Sequence, residues 1–274
     1  MEMKTRLITA GVAAALAIGI IILGSYFSVI VTIALSVVSV ILCGEFLSAK
    51  KVHKDMKLFI FCLVFALLIP MLSYTQAKYI PLFLFVFGIC VLSVIFHKKV
   101  QTDDVMFALV GVTIITVSLS ALNTLVWDDP KHAAFWIVIC LGIPWLADSA
   151  AYFAGSYFGK HKLCPEISPH KTVEGAVAGI IVGTLSALLI GLIFKLIYGD
   201  VTIYYGVLVL IGFVNSIVSI FGDLIFSVMK RSCHIKDFGS IMPGHGGLLD
   251  RFDSVLFCIP VVYIFSQFFY LCLA

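Results

Sequence analysis

The sequence predicts an all-α polytopic membrane protein with about nine transmembrane helices, its N-terminus cytoplasmic and its C-terminus outside. Three observations predict it. Of 274 residues, 62% are hydrophobic and only 12% charged, with a mean hydropathy of +1.15; a soluble domain carries about twice that charged fraction. Apolar runs long enough to cross a bilayer recur along the whole chain. The basic residues collect in alternate connectors. With lipid as the solvent, the backbone must satisfy its own polar groups, which helices do within one segment.

A hydrocarbon core about 30 Å thick needs about 20 apolar residues as helix. Segments that qualify run approximately 6–23, 26–44, 57–75, 79–96, 105–127, 133–155, 175–198, 203–229 and 255–273. Lys4 and Arg6 precede the first, but no A-x-A-type cleavage site follows, so it reads as a retained span and not a signal peptide. Gly24-Ser25 divides the first two segments into a tight hairpin. Pro70, Pro81, Pro144 and Pro260 fall inside segments and should bend or locally unwind them. Nine spans put the termini on opposite sides. Lys78, Lys131 and Lys195 then face one side and the other fifteen of the 18 Lys and Arg face the other, which the positive-inside bias assigns to the cytoplasm. The expected location is the cell (inner) membrane, multi-pass, with the polar loops in the cytoplasm.

The eight cysteines show no CxxC and no ligand spacing, so they read as apolar packing residues and reduced thiols. Residues 1–127 carry almost no ionisable groups within their spans; they read as scaffold, dimer surface or lipid-facing wall, and a homodimer stays open. Residues 128–274 hold the chemistry, in two cytoplasmic loops, 156–174 and 230–254, dense in polar groups and glycine.

The first polar cluster begins inside the sixth segment with Asp148, where an ionised carboxylate is costly unless paired. Tyr152 follows at i+4 on the same helix face, and Gly155 and Gly159 continue it as bare backbone or as a helix-packing stripe. Next comes Ser168-Pro-His-Lys171-Thr172-Val-Glu174-Gly175, where Thr172 and Glu174 can cap a new helix whose free N–H groups favour an anion. The second cluster begins with Asp223, followed at i+4, i+7 and i+8 by Ser227, Lys230 and Arg231. Lys236-Asp237, Pro243-Gly244-His245-Gly246-Gly247 and Asp250-Arg251-Phe252-Asp253 complete it. Asp250 and Asp253 share a face if the last helix begins there. Glycines let backbone approach a ligand closely. Carboxylates crowded with Lys, Arg and His suit a polyphosphate with a divalent metal: Mg²⁺ takes one or two carboxylates plus phosphate oxygens, and the basic groups neutralise the rest. Zinc is disfavoured because His245 has no His or Cys partner at ligand spacing. A Ser-His-Asp hydrolase is disfavoured because no nucleophile elbow exists.

The stretch 227–253, SVMKRSCHIKDFGSIMPGHGGLLDRFD, resembles the signature of the CDP-diacylglycerol synthases, also called phosphatidate cytidylyltransferases. Asp148-x-x-Ala-Tyr-Phe-x-Gly and Ser-Pro-x-Lys-Thr-x-Glu-Gly are similar to that family too, at the expected distance. Met242 before the proline and Val173 depart from its usual residues without removing a charged group. The first five segments match in hydropathy only.

The resemblance implies that CTP and phosphatidic acid give CDP-diacylglycerol and pyrophosphate. It implies Mg²⁺, with room for a second cation such as K⁺, and CTP, phosphatidic acid and membrane lipid as partners, without nucleic acid. Asp223 and Asp250 would hold the metal. Lys230, Arg231 and Arg251 would hold the phosphates of the two substrates, and His245 with Gly246 and Gly247 the leaving pyrophosphate. Ser168 and Lys171 would take the lipid phosphate or CTP, and Asp148 would complete the metal site or orient Lys230. Tyr152, Ser227, Lys236 and Asp253 complete the expected substrate-binding set. The nearest rival is a CTP-dependent polyprenol or phytol kinase, against which the long Lys-Arg to Asp-Arg-x-Asp signature argues. A secondary transporter is the rival of another class; it normally shows paired repeats and midplane sites, and the chain has no repeat.

Overall fold

The computed structural model describes residues 11, 15, 18–52, 55–199, 202–242, 246–269 and 272–273. They form an α-helical membrane protein. The helices are α1 (Ser28–Ala49), α2 (Met56–Leu72), α3 (Tyr79–Ile95), α4 (Thr102–Asp128), α5 (Ala133–Phe158), α6 (Val173–Tyr198), α7 (Tyr205–Ser232) and α8 (Leu249–Phe268). They occupy the second to ninth of the expected segments; the first, 6–23, lies largely outside the described residues, though 18–24 is helical. Among the described residues, five helices are long and apolar enough to cross a membrane: α1, α4, α5 with its preceding 3₁₀ turn Pro130–His132, α6 and α7. α2 and α3 are apolar but shorter, at 17 residues each.

The structure refines three expectations. The chain is not helix alone: an antiparallel ribbon pairs β1 (Lys162–Cys164) with β2 (Ser168–Thr172), and another pairs β3 (Thr202–Ile203) with β4 (Cys272–Leu273). The last helix therefore begins six residues before the expected 255 and ends at Phe268. Nor do the prolines interrupt their helices, which run continuously through Pro70, Pro144 and Pro260. Pro81 is the third residue of α3, where the missing N–H has no partner to lose.

The chain groups into two compact units, Met1–Ala134 with Ser232–Phe252, and Phe135–Arg231 with Asp253–Ala274. In the first, α1 to α4 pack around a buried amide. Asn123 on α4 donates to the Pro70 carbonyl (3.1 Å) and the Ser73 hydroxyl (2.8 Å) and accepts from the Thr32 hydroxyl (2.8 Å). Trp127, one turn on, donates to the same Thr32 oxygen (2.8 Å) and stacks on Tyr74 at 4.2 Å. An apolar bundle packs almost as well one turn out of register. A hydrogen-bonded amide does not, so this knot fixes how α1, α2 and α4 align. On α1, Phe46 stacks on Phe107 at 4.2 Å and fills the space that a side chain at Gly111 would take.

In the second unit, α6 has two faces that differ in size and not in polarity. Gly175, Gly179 and Gly183 repeat at i+4 and are buried, whereas Ile181, Leu185, Leu189 and Leu196 are exposed. An added Cβ at Gly175 would lie 2.6 Å from the Ala151 carbonyl, and one at Gly179 3.0 Å from that of Ala147. At Gly183 it would overlap the Ser216 hydroxyl. Helices drawn together by lipid-excluded backbone contact need such small residues, because water supplies no hydrophobic drive between them.

Candidate active site

The second unit places its charges where helices meet. β2 carries Lys171 into the unit, and Thr172 ends the strand by capping α6, its hydroxyl accepting from the Gly175 N–H (3.2 Å). Glu174, expected to help with that cap, instead holds His161, accepting from its backbone N–H (3.2 Å) and contacting its ring Nδ1 (2.6 Å). These contacts anchor the ribbon. The Lys171 ammonium lies 2.6 Å from Asp223 Oδ2 on α7, and Ser227, one turn along, donates to Asp223 Oδ1 (3.3 Å). Lys230 on the same helix lies 3.7 Å from Asp253 Oδ2. Asp253 is 7% exposed, and its Oδ1 accepts from the Ser254 N–H (2.8 Å).

Asp148 joins three helices: Ser219 of α7 donates to its Oδ1 (3.0 Å) and Ser254 of α8 to its Oδ2 (2.7 Å). Asp148, Asp223 and Asp253 are near enough to repel one another, and Lys171 and Lys230 answer them. Three carboxyl groups and two ammonium groups thus gather inside helices that are otherwise apolar. Lys230 is paired with Asp253, and each Asp148 oxygen takes a serine hydroxyl.

The first unit organises the loop that precedes α8. Asp250, in the first turn of that helix, accepts through Oδ2 from the Phe238 N–H (3.0 Å) and the Gly247 N–H (3.0 Å). Met242 and Gly246 form a bridge across the loop, and Gly246 takes φ +86°, a left-handed conformation that only glycine adopts without strain. Glu45, from α1, reaches this loop. The residue is 6% exposed and accepts from the N–H groups of Leu248 (3.1 Å) and Leu249 (2.7 Å). It thereby satisfies donors that the start of α8 leaves open, and its charge suits the positive end of the helix. A Cβ at Gly247 would lie 2.7 Å from the Gly239 nitrogen and 2.8 Å from Glu45 Oε2, so the chain must be bare there.

The remaining expected residues are placed as follows. Tyr152 is exposed, its ring edge against Phe153 at 5.5 Å, and Gly155 packs on Thr172 and Gly175 as the small-residue stripe would have it. Ser168 pairs with Cys164 at the far end of β2 from Lys171. Arg231, Lys236 and Arg251 are exposed. Pro243, Gly244 and His245 lie outside the described residues. Asp223 belongs to the second unit and Asp250 to the first.

The donor chemistry fits Mg²⁺. Asp223 and Asp250 offer carboxylate oxygens already oriented by a serine hydroxyl and by backbone N–H groups. Among the described residues no set of three His, Cys, Asp or Glu is placed to hold a metal. Mg²⁺ ordinarily takes one or two carboxylates from protein and fills its remaining positions with phosphate oxygens and water.

Glu45, Ser219 and Ser254 are missing from the expected set. The serines are invisible among apolar neighbours. Glu45 had a signal, a lone acid closing an otherwise uncharged span ahead of Lys50 and Lys51, which reads equally well as a topology marker.

The chain is 44% identical over 139 residues to a phosphatidate cytidylyltransferase of Bacillus subtilis, covering 51% of this chain and 50% of that protein. It is 35% identical over 172 residues to one of Staphylococcus saprophyticus (63% of each chain) and 38% identical over 147 residues to one of Haemophilus influenzae (52% and 48%). The chain thus spans about half to five-eighths of the length of these curated relatives. A family model described as the cytidylyltransferase family matches residues 4–269. An α-helical membrane protein with acid–lysine pairs set on its apolar helices, matched over nearly its whole length, belongs to the cytidylyltransferase family.

Proposed function

We propose that this chain is a phosphatidate cytidylyltransferase, which joins CTP to phosphatidic acid and releases CDP-diacylglycerol and pyrophosphate. The observation that carries the reading is the Lys171–Asp223 pair at 2.6 Å, set beside Asp148 and the Lys230–Asp253 pair. Apolar helices keep such a set only where charge is needed. The relatives' names supply the reaction.

In this reading an oxygen of the phosphatidate monoester attacks the α-phosphorus of CTP, and the bond to the β-phosphate oxygen breaks. The nucleophile is largely ionised at neutral pH, so the enzyme needs no strong general base. Its task is to bring two anions together in line and spread their charge. Lys171 and Lys230 exchange their carboxylate partners for phosphate oxygens as substrate enters. Arg231 and Arg251 contribute further cationic groups, and the bare backbone of Gly246 and Gly247, next in sequence to His245, lets the departing pyrophosphate approach closely. Ser168, Lys236 and Tyr152 belong to the rim that admits CTP and lipid. Asp223 and Asp250 would each offer carboxylate oxygens to Mg²⁺, which would supply charge neutralisation at the phosphates; K⁺ is the candidate for a second cation.

We further propose nine spans with the N-terminus and the two polar loops in the cytoplasm of the cell membrane, where CTP is found. The deciding experiment incubates purified protein with phosphatidic acid, Mg²⁺ and CTP labelled at either the α- or the γ-phosphate. Label from the α position in lipid supports the proposal. Label only from the γ position makes the chain a lipid kinase, and no labelled lipid removes the reading.

A further inference from the structure

The first unit contains a cavity of about 530 Å³ between the connector that joins α1 to α2 and the one that joins α3 to α4. It shares no lining residue with the loop around Asp250 or with the Asp223 cluster. Its charged lining is Lys50, Lys51, Lys57 and Lys99 against Asp55 and Asp104, a surplus of two positive charges. Lysines placed only to set topology trail into water; two of these are held. Lys50 lies 3.5 Å from Asp104 Oδ1 and 5.4 Å from the Phe107 ring centre, and the Lys57 ammonium sits 4.3 Å above Phe96. Asp55 is engaged as the cap of α2, accepting from the Leu58 N–H. Lys51, with φ +60°, and Lys99 have no carboxylate partner among the described residues. Such a non-glycine conformation is uncommon and costs free energy unless the surroundings repay it. The volume lies in the range of small-ligand pockets. Beside the charged lining, Met56 and Ile60 on α2 and Val94 and Ile95 on α3 are exposed and apolar.

We propose that this cavity is a second phosphate-binding site, separate from the catalytic residues, which takes the headgroup phosphate of an acidic glycerophospholipid while the acyl chains lie on the exposed faces of α2 and α3. Lys51 and Lys99 close on the phosphate, and Lys50 and Lys57 set the field. A free phosphate ion would satisfy the lysines but leave the apolar flank unused, which favours the lipid. The proposal does not depend on the catalytic reading.

The test is native mass spectrometry of the full chain in detergent, titrated with phosphatidylglycerol, with phosphatidylcholine, and with inorganic phosphate as competitor. The wild type should bind phosphatidylglycerol at a site that K51Q/K99Q weakens about thirtyfold, while K78Q/K131Q, which removes equal charge elsewhere, leaves it intact. Equal loss in both variants, equal binding of phosphatidylcholine, or displacement by inorganic phosphate at matched concentration would each overturn the assignment. Wild-type protein gives a check independent of folding. Phosphatidylglycerol should shield Lys51 and Lys99 from acetylation, and unchanged labelling would refute the site.

Discussion

The carboxylate of Glu45 accepts the backbone N–H of Leu249 at 2.7 Å, across 204 residues of chain, and so ties α1 to the first turn of α8. The same turn holds Asp250, whose own carboxylate gathers the N–H groups of Phe238 and Gly247. Two acids therefore shape one loop from opposite ends of the sequence. Removing Glu45 leaves two donors, the Leu249 N–H buried and the Leu248 N–H partly so, without acceptors, a cost of about 1–3 kcal/mol for a buried group of this kind. Glu45→Ala should lower the unfolding temperature and speed hydrogen exchange at the amides of 248 and 249 about tenfold or more. Glu45→Gln keeps an acceptor and should fall between the two. Unchanged exchange in the alanine variant would show that the loop holds itself.

The Lys171–Asp223 pair separates folding from function. Asp223→Asn should abolish cytidylyl transfer while leaving membrane insertion intact. Lys171→Met leaves Asp223 facing the other acids with less compensation and should destabilise the protein. The double variant Lys171→Met/Asp223→Asn should recover thermal stability but not activity. Transfer by either Asp223 variant at the wild-type rate would remove this carboxylate from the reaction.

Asp148 makes a milder case. Its two partners, Ser219 and Ser254, can turn their hydroxyls back to carbonyls of their own helices. Asp148→Ala should thus cost only about 1–3 kcal/mol, read as a lower melting temperature in detergent. A loss well above that range would mean that the carboxylate carries charge interactions beyond the two serines.

The glycine face of α6 gives a packing test. Gly179→Val and Gly183→Leu put side chains where the Ala147 carbonyl and the Ser216 hydroxyl already lie. Each should cost about 1–3 kcal/mol through overpacking, whereas Leu185→Val on the exposed face should change the melting temperature little.

How much of this was legible beforehand differs by feature. The eight helices described past residue 27 follow from hydropathy, since lipid leaves an apolar run little else to do. The acids at 148, 223, 250 and 253 stood out because charge is rare in such segments. The ribbon at 162–172 was hidden: Pro165 and Pro169 and a scatter of charges read as loop, and its pairing depends on Thr172 and Glu174 closing back on α6 and His161. Glu45 was hidden for another reason. Its partners are backbone amides far along the chain, and an amide carries no mark in a sequence. The knot at Asn123 likewise looked like one polar residue in a span, because the Thr32 and Ser73 that satisfy it are ordinary membrane residues.

That knot bears on how the protein is made. Thr32, Pro70 and Ser73 are synthesised 91, 53 and 50 residues ahead of Asn123. The earlier helices reach the bilayer with two hydroxyls and a carbonyl still to meet the amide, and the arrival of α4 bolts them into place. Assembly of this half is therefore ordered by the ribosome. A chain halted before residue 123 would be inserted yet unlocked, a ready client for membrane quality control.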